Sequence, residues 1–273
     1  MDPSVFFIPL LFVAAFLYAS VGHGGASAYL ALLALFGYSS AIIRPSALLL
    51  NVFVSLISFS LYFRAGHFRW KLFLPFVITS VPAAFLGAFV SLDETLYKKI
   101  LGLVLVLPVL RLLGVFGREN ETRRALRWIP ALAMGAVIGF ISGVIGIGGG
   151  ILLSPLILLL HWGGLKETAA VSALFIFVNS VAALAGMASQ GAVIHEGVNT
   201  WLLVAVAGGF AGAYYGSAKF SLRRLKNILA SVLLLASLKL ITAEDQNTNA
   251  DKTPGSLVVN SDMVKTNRTT HEN

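Results

Sequence analysis

The chain has 273 residues, of which 57% are hydrophobic and only 12% charged, and its mean hydropathy is +0.85. A soluble domain carries about twice that share of charge, so the composition excludes an ordinary soluble enzyme and indicates a multi-span membrane protein. The lack of cysteine removes disulfides, thiol redox chemistry and thiolate metal sites, and the net charge of +8 sits in short loops, where it sets topology and does not mark a nucleic-acid partner.

The start, Met1-Asp2-Pro3-Ser4, lacks the basic residues of a secretory signal, so the first apolar segment is expected to stay in the protein. Eight apolar regions follow, at 4–36, 43–63, 72–91, 97–116, 128–160, 167–188, 198–218 and 225–243. Regions 4–36 and 128–160 are too long for one crossing: each would measure about 50 Å as a helix, against a hydrocarbon core of about 30 Å. Both are interrupted by glycine, at 22–25 and at 146–150. Each therefore reads as a full span, a glycine turn and a half-length helix, over 26–36 and 150–160.

Loop charge gives direction. Loop 64–71 holds Arg64, Arg69 and Lys71, linker 111–127 holds five arginines and two glutamates, and loop 219–226 holds Lys219, Arg223, Arg224 and Lys226. Positive loops face the cytoplasm, which puts these three inside. Loop 189–197 has only His195 and Glu196, and loop 91–99 is balanced, with Asp93 and Glu94 against Lys98 and Lys99. The tail from Thr242 is polar and slightly acidic, as an outside location and disorder would suit.

The second half repeats the first at an offset of 124 to 126. Val21-Gly22-His23-Gly24-Gly25 returns in Gly143 to Gly150, Ser46-Ala47-Leu48 in Ser172-Ala173-Leu174, Gly66 in Gly191, Leu86-Gly87-Ala88 in Ala211-Gly212-Ala213, and Lys98-Lys99 in Arg223-Arg224. Because matching loops fall on opposite sides, the halves are expected to be inverted, with both termini outside. The expected fold is thus an all-α polytopic membrane protein of two inverted repeats, with eight conventional spans and up to ten helical elements. Residues 1–116 form the first repeat, 117–127 a basic cytoplasmic linker, 128–243 the second repeat and 244–273 a disordered tail.

The glycine clusters also carry the candidate site. Gly24, Gly25 and Gly148, Gly149, Gly150 precede the short helices, whose N-termini expose unpaired N–H groups and partial positive charge. Two such ends meeting at midplane would hold an anion; the alternative is that the glycines only allow close helix packing. His23 is the one ionisable residue in either cluster, and reads as an anion donor, a coupling group, or a neutral histidine on a carbonyl. Ser27, Ser46, Ser172, Asn51 and Asn179 bind a ligand or hold helices together. Arg44, ahead of Pro45, reaches the anion or snorkels to headgroups. Asp93, Glu94, Glu167 and Glu196 fall at loops and no Asp or Glu lies inside a span, nor is there a catalytic constellation, so no enzyme activity, cofactor or metal is expected.

The repeated Gly-x-Gly-Gly cluster, Pro155, the turn Thr168-Ala169-Ala170-Val171-Ser172 and the pair Asn179-Ser180 resemble the TauE/SafE sulfite exporter family, over about residues 5–243 and most closely over 139–191. The first half departs from that pattern at His23, at Ala31 opposite Pro155, and at Arg44-Pro45. The resemblance implies an inner-membrane permease that moves sulfite or an organosulfonate, usually outward. Its partners would be a small anion and the lipid bilayer, with homo-oligomerisation left open. Three alternatives stand beside a carrier: an anion channel of the same architecture, an intramembrane lipid-pyrophosphate enzyme, and a structural membrane subunit with no site.

Overall fold

A computed structural model describes residues 4–112 and 124–218, together with Leu234, Ser237, Leu238, Leu240 and Ile241. Among the described residues the regular structure is all helical: α1 (Ser4–Ala19), α2 (Ala26–Leu35), α3 (Ser40–Arg64), α4 (Trp70–Ala88), α5 (Glu94–Leu112), α6 (Trp128–Ile145), α7 (Gly150–Leu159), α8 (Leu165–Ala188) and α9 (Val198–Ala218). Four of them, α3, α4, α6 and α8, are long and apolar enough to cross a membrane. The expectations for residues 1–3, most of the linker, loop 219–226, most of 225–243 and the tail lie outside the described residues.

The chain breaks at both glycine clusters. Gly25 and Gly149 cap the short helices in the left-handed region, at φ 98° and 77°, a conformation glycine adopts without strain. The short helices have 10 residues each, about 15 Å or half a bilayer core. Helix α1 runs from the first described residue to Ala19, 16 residues or about 24 Å, and stops three residues before Gly22. Helix α2 is buried along Ala26 to Ala34, which suits a helix apolar on every side. Glu94, Lys98 and Lys99, read as loop residues, belong to the first turns of α5, where the helix N-terminus favours the acid.

Backbone conformation recurs at the sequence offset. Positive φ marks Gly22 and Gly146, Gly25 and Gly149, Gly66 and Gly191, and the pair Gly37 and His161. His161 is the one non-glycine residue in that region among those described, at φ 57°.

Helix packing follows the same order. Helix α1 packs on α9 and α4 on α6; α3 packs on α8; α3 also meets α9, and α4 meets α8. The α4–α6 contact is a glycine ladder: a Cβ added at Gly135, Gly139 or Gly143 would collide with the carbonyl of Phe76, Ser80 or Ala84. The α1–α9 contact repeats it, with Gly208, Gly212 and Gly216 against the carbonyls of Phe12, Phe16 and Ser20. Lipid gives helices no hydrophobic reason to associate, so close backbone approach supplies the attraction. Thr79 adds a bond from its hydroxyl to the Leu132 carbonyl at 2.6 Å. Ser237 donates to the Gly102 carbonyl of α5 at 2.6 Å.

Helices α3 and α8 run antiparallel and define two ends of the bundle. At one end Ser40 donates to Glu94, and Tyr38 stacks edge-on to His195 at 5.3 Å. At the other, Arg69 pairs with Glu167 at 3.5 Å and the Arg124 N–H donates to the His161 carbonyl. Arg64, Lys71, Arg127 and Lys166 belong to the helix termini of this second end.

Candidate functional site

Both glycine tips reach the middle of the α3–α8 contact. Gly24 and Gly148 press against the same two side chains, Asn51 of α3 and Ile176 of α8. The Asn51 carbonyl oxygen accepts the Ala26 N–H at 3.2 Å, and its amide nitrogen donates to the Ser180 hydroxyl at 3.1 Å. A first-turn donor of α2 is therefore satisfied by a protein carboxamide. The tips converge as expected, but Asn51 and Ile176 fill the space between Gly24 and Gly148. Gly150 also lies against Ile176, and Gly149 against Phe175.

A polar line crosses beside them. His23 Nδ1 lies 3.0 Å from the Val21 carbonyl and can only donate to it, so Nε2 is the acceptor for the Ser154 hydroxyl at 3.0 Å. Ser154 in turn lies 2.6 Å from the Ser172 hydroxyl. All three side chains are buried. His23 thus makes the carbonyl bond of a structural histidine and also links the first half to α7 and α8. At the corresponding places of the other half stand Ile147 and Leu30. Ser46, the counterpart of Ser172, is buried, and its hydroxyl has no partner among the described residues.

The remaining candidates go elsewhere. Ser27 donates to the Tyr18 hydroxyl at 2.8 Å. Asn179 donates to the Phe175 carbonyl of its own helix at 2.8 Å, and its buried carbonyl oxygen has no partner among the described residues. Arg44 Nη2 donates to the Gly143 carbonyl at 3.2 Å, and its buried Nε has no partner among the described residues. Tyr97 donates to the neighbouring Ile145 carbonyl at 3.1 Å. Both groups meet the electronegative C-terminus of α6, where a cation is favoured.

Ile176, Tyr97, Ser154 and Ser180 were not among the site residues named from the sequence. Ser172, Ile176 and Ser180 are spaced by four along one helix face, a signal that was available. Tyr97 carried no such signal.

The two ends of the α3–α8 pair differ. At the Ser40 end a cavity of about 610 Å³ lies between the start of α3, the end of α8 and the 189–197 loop. At the Arg69 end the structure is closed. Tyr62 packs with Ala169, Ala170 and Phe68, its hydroxyl donates to the Ser20 carbonyl at 2.9 Å, and Gly22 lies directly on Ala169.

A family profile described as Sulfite exporter TauE/SafE matches residues 7–240. The chain belongs to the TauE/SafE family. Its relatives there include the probable membrane transporter protein y4hK of Sinorhizobium fredii, 39% identical over 84% of this chain and 95% of that protein. The probable membrane transporter protein YjnA of Bacillus subtilis is 29% identical over 85% of this chain and 96% of its own length. YunE, another probable membrane transporter protein of Bacillus subtilis, is 27% identical over 72% of this chain. No solved structure matches the chain. Family membership and the apolar helices together make this a multi-pass membrane protein of a transporter family.

Proposed function

We propose that this TauE/SafE member exports a small sulfur-containing anion, sulfite or an organosulfonate, across the inner cell membrane by alternating access. Two inverted five-element repeats would carry the mechanism, with both termini outside. The observation that carries the reading is the asymmetry around the converged glycine tips. One end of the α3–α8 pair opens into a cavity and the other is packed shut. The reciprocal helix pairings and the recurring positive-φ positions support the repeat, and antiparallel α3 and α8 support its inversion.

The basic residues gathered at the closed end support a cytoplasmic location for it. The cavity then faces outward. Rocking one half against the other would close the wall around Arg44 and part the contacts at Phe68 and Glu167. At the tips, an anion would displace the Asn51 carboxamide from the Ala26 N–H, with Ser46, Ser172 and His23 close by. An interior-negative potential favours efflux of an anion by about 2.3 kcal/mol per charge per 100 mV.

Proteoliposomes loaded with labelled sulfite provide the test. A carrier gives saturable flux and exchange stimulated by external unlabelled anion. Flux that rises linearly with concentration, without exchange, would indicate a channel, and absence of flux for sulfite and organosulfonates alike would end the proposal.

A further inference from the structure

The cavity at the Ser40 end is larger than a bare oxyanion requires. Its volume of about 610 Å³ lies within the range of about 300–1,000 Å³ typical of pockets that enclose whole small organic molecules. A three-oxygen anion would leave most of it unfilled. Its lining includes the apolar residues Ile42, Pro45, Ala88, Met187, Val193 and Ile194 beside the polar Ser40, Gln190 and His195.

Arg44 is the one lysine or arginine in the lining. A guanidinium offers five N–H donors in a fixed fork. One of them meets the Gly143 carbonyl, and the buried Nε has no partner among the described residues. The nearby acids do not neutralise it. Glu94 is engaged by Ser40 and Lys98, and Glu196 lies exposed in the loop on the cavity wall. A carboxylate on that wall also opposes a ligand carrying a second negative charge.

We propose that this cavity binds an organic monoanion, with its acid head on Arg44 and its apolar body along Ile42, Met187 and Val193. The inference rests on the transporter reading and narrows it: the ligand carries one charged oxyacid group and a body of several carbons. Arg44 is the specificity-determining cation.

The test uses the full chain in nanodiscs and measures binding by calorimetry. Probes are methane-, propane- and hexanesulfonate, the matching carboxylates, and sulfite. Affinity should rise along each series, up to about fourfold per methylene buried. Arg44→Gln should weaken every probe by at least about tenfold, since it removes a charge-assisted bond. Met187→Ala should lower the gain in affinity per added carbon along each series.

Thermal melting checks that Arg44→Gln still folds, because Arg44 also caps α6; if it does not fold, Met187→Ala and Ile42→Ala decide by the chain-length slope alone. A flat series, or affinities untouched by Arg44→Gln in folded protein, overturns the inference. If sulfite is still carried in proteoliposomes under that result, the transporter reading stands without it. If hexanesulfonate binds through Arg44 but no anion is transported, the site stands and the transporter reading falls.

Discussion

Asn51 is the most heavily used side chain at the meeting of the two halves. It satisfies α2 through Ala26, reaches α8 through Ser180, and fills the contact between Gly24 and Gly148. Asn51→Leu removes both bonds and leaves a buried N–H without a partner, at a cost of about 1–3 kcal/mol. The expected result is a lower melting temperature in detergent together with lost anion flux. Asn51→Asp, which retains the acceptor for Ala26 but brings a charge, is expected to melt closer to wild type and still to lose flux, because the carboxylate repels an anion at the tips. Equal flux in wild type and Asn51→Asp would separate the tips from the transport path. The His23 line makes a second expectation. Ser154→Ala deprives His23 Nε2 of its donor and Ser172 of its neighbour, and should destabilise by about 1–2 kcal/mol, read as a shift in thermal unfolding.

Glycine has two distinct roles at the level of elements, and substitution separates them. Gly139 and Gly212 sit in ladders where a Cβ would overlap a neighbouring carbonyl. Gly139→Leu or Gly212→Leu must push α6 from α4 or α9 from α1, and should cost about 3 kcal/mol or more, read as loss of folded protein after solubilisation. Gly66 has open space around its Cβ position but φ 76°. Gly66→Ala should cost only about 1 kcal/mol, the strain of a left-handed alanine.

The tie between α3 and α5 behaves differently again. Burial acts to raise the Glu94 carboxyl, but bonds from the Ser40 hydroxyl and N–H, and from Lys98, outweigh it and hold the group below the ordinary carboxylate range. A depressed folded value means the tie is complete above the unfolded value, near about pH 4, and is lost as pH falls through the folded one. Melting should therefore fall between pH 5 and pH 3, and Glu94→Gln should reduce that dependence.

For the whole molecule, the absence of cysteine makes accessibility easy to read. A cysteine at Ala192, exposed beside the cavity, should react rapidly with a water-soluble maleimide, and one at Ala169, buried in the closed end, should not. The Arg69–Glu167 pair is partly exposed and contributes little by itself. Phe68→Ala combined with Glu167→Gln removes both the aromatic packing and the pair, and should raise the labelling rate of Ala169→Cys severalfold while slowing Ala192→Cys. Unchanged rates at both positions would argue against linked motion of the two ends.

Composition and glycine placement determined most of the architecture. Apolar runs too long for one crossing had to break, and only the glycine clusters offered backbone free to turn, so the short helices at Ala26–Leu35 and Gly150–Leu159 were legible to within a residue. The offset between matching motifs likewise foretold Gly66 with Gly191 and Gly87 with Gly212, because backbone conformation and close packing are local demands on one residue type. Tertiary structure alone decided what fills the site. The sequence named Asn51 without its partners, left Arg44 between anion and headgroup, and gave no sign that one end is open and the other shut. Those depend on which side chains from distant helices reach the same few ångströms, and periodicity along a single chain carries no record of that meeting.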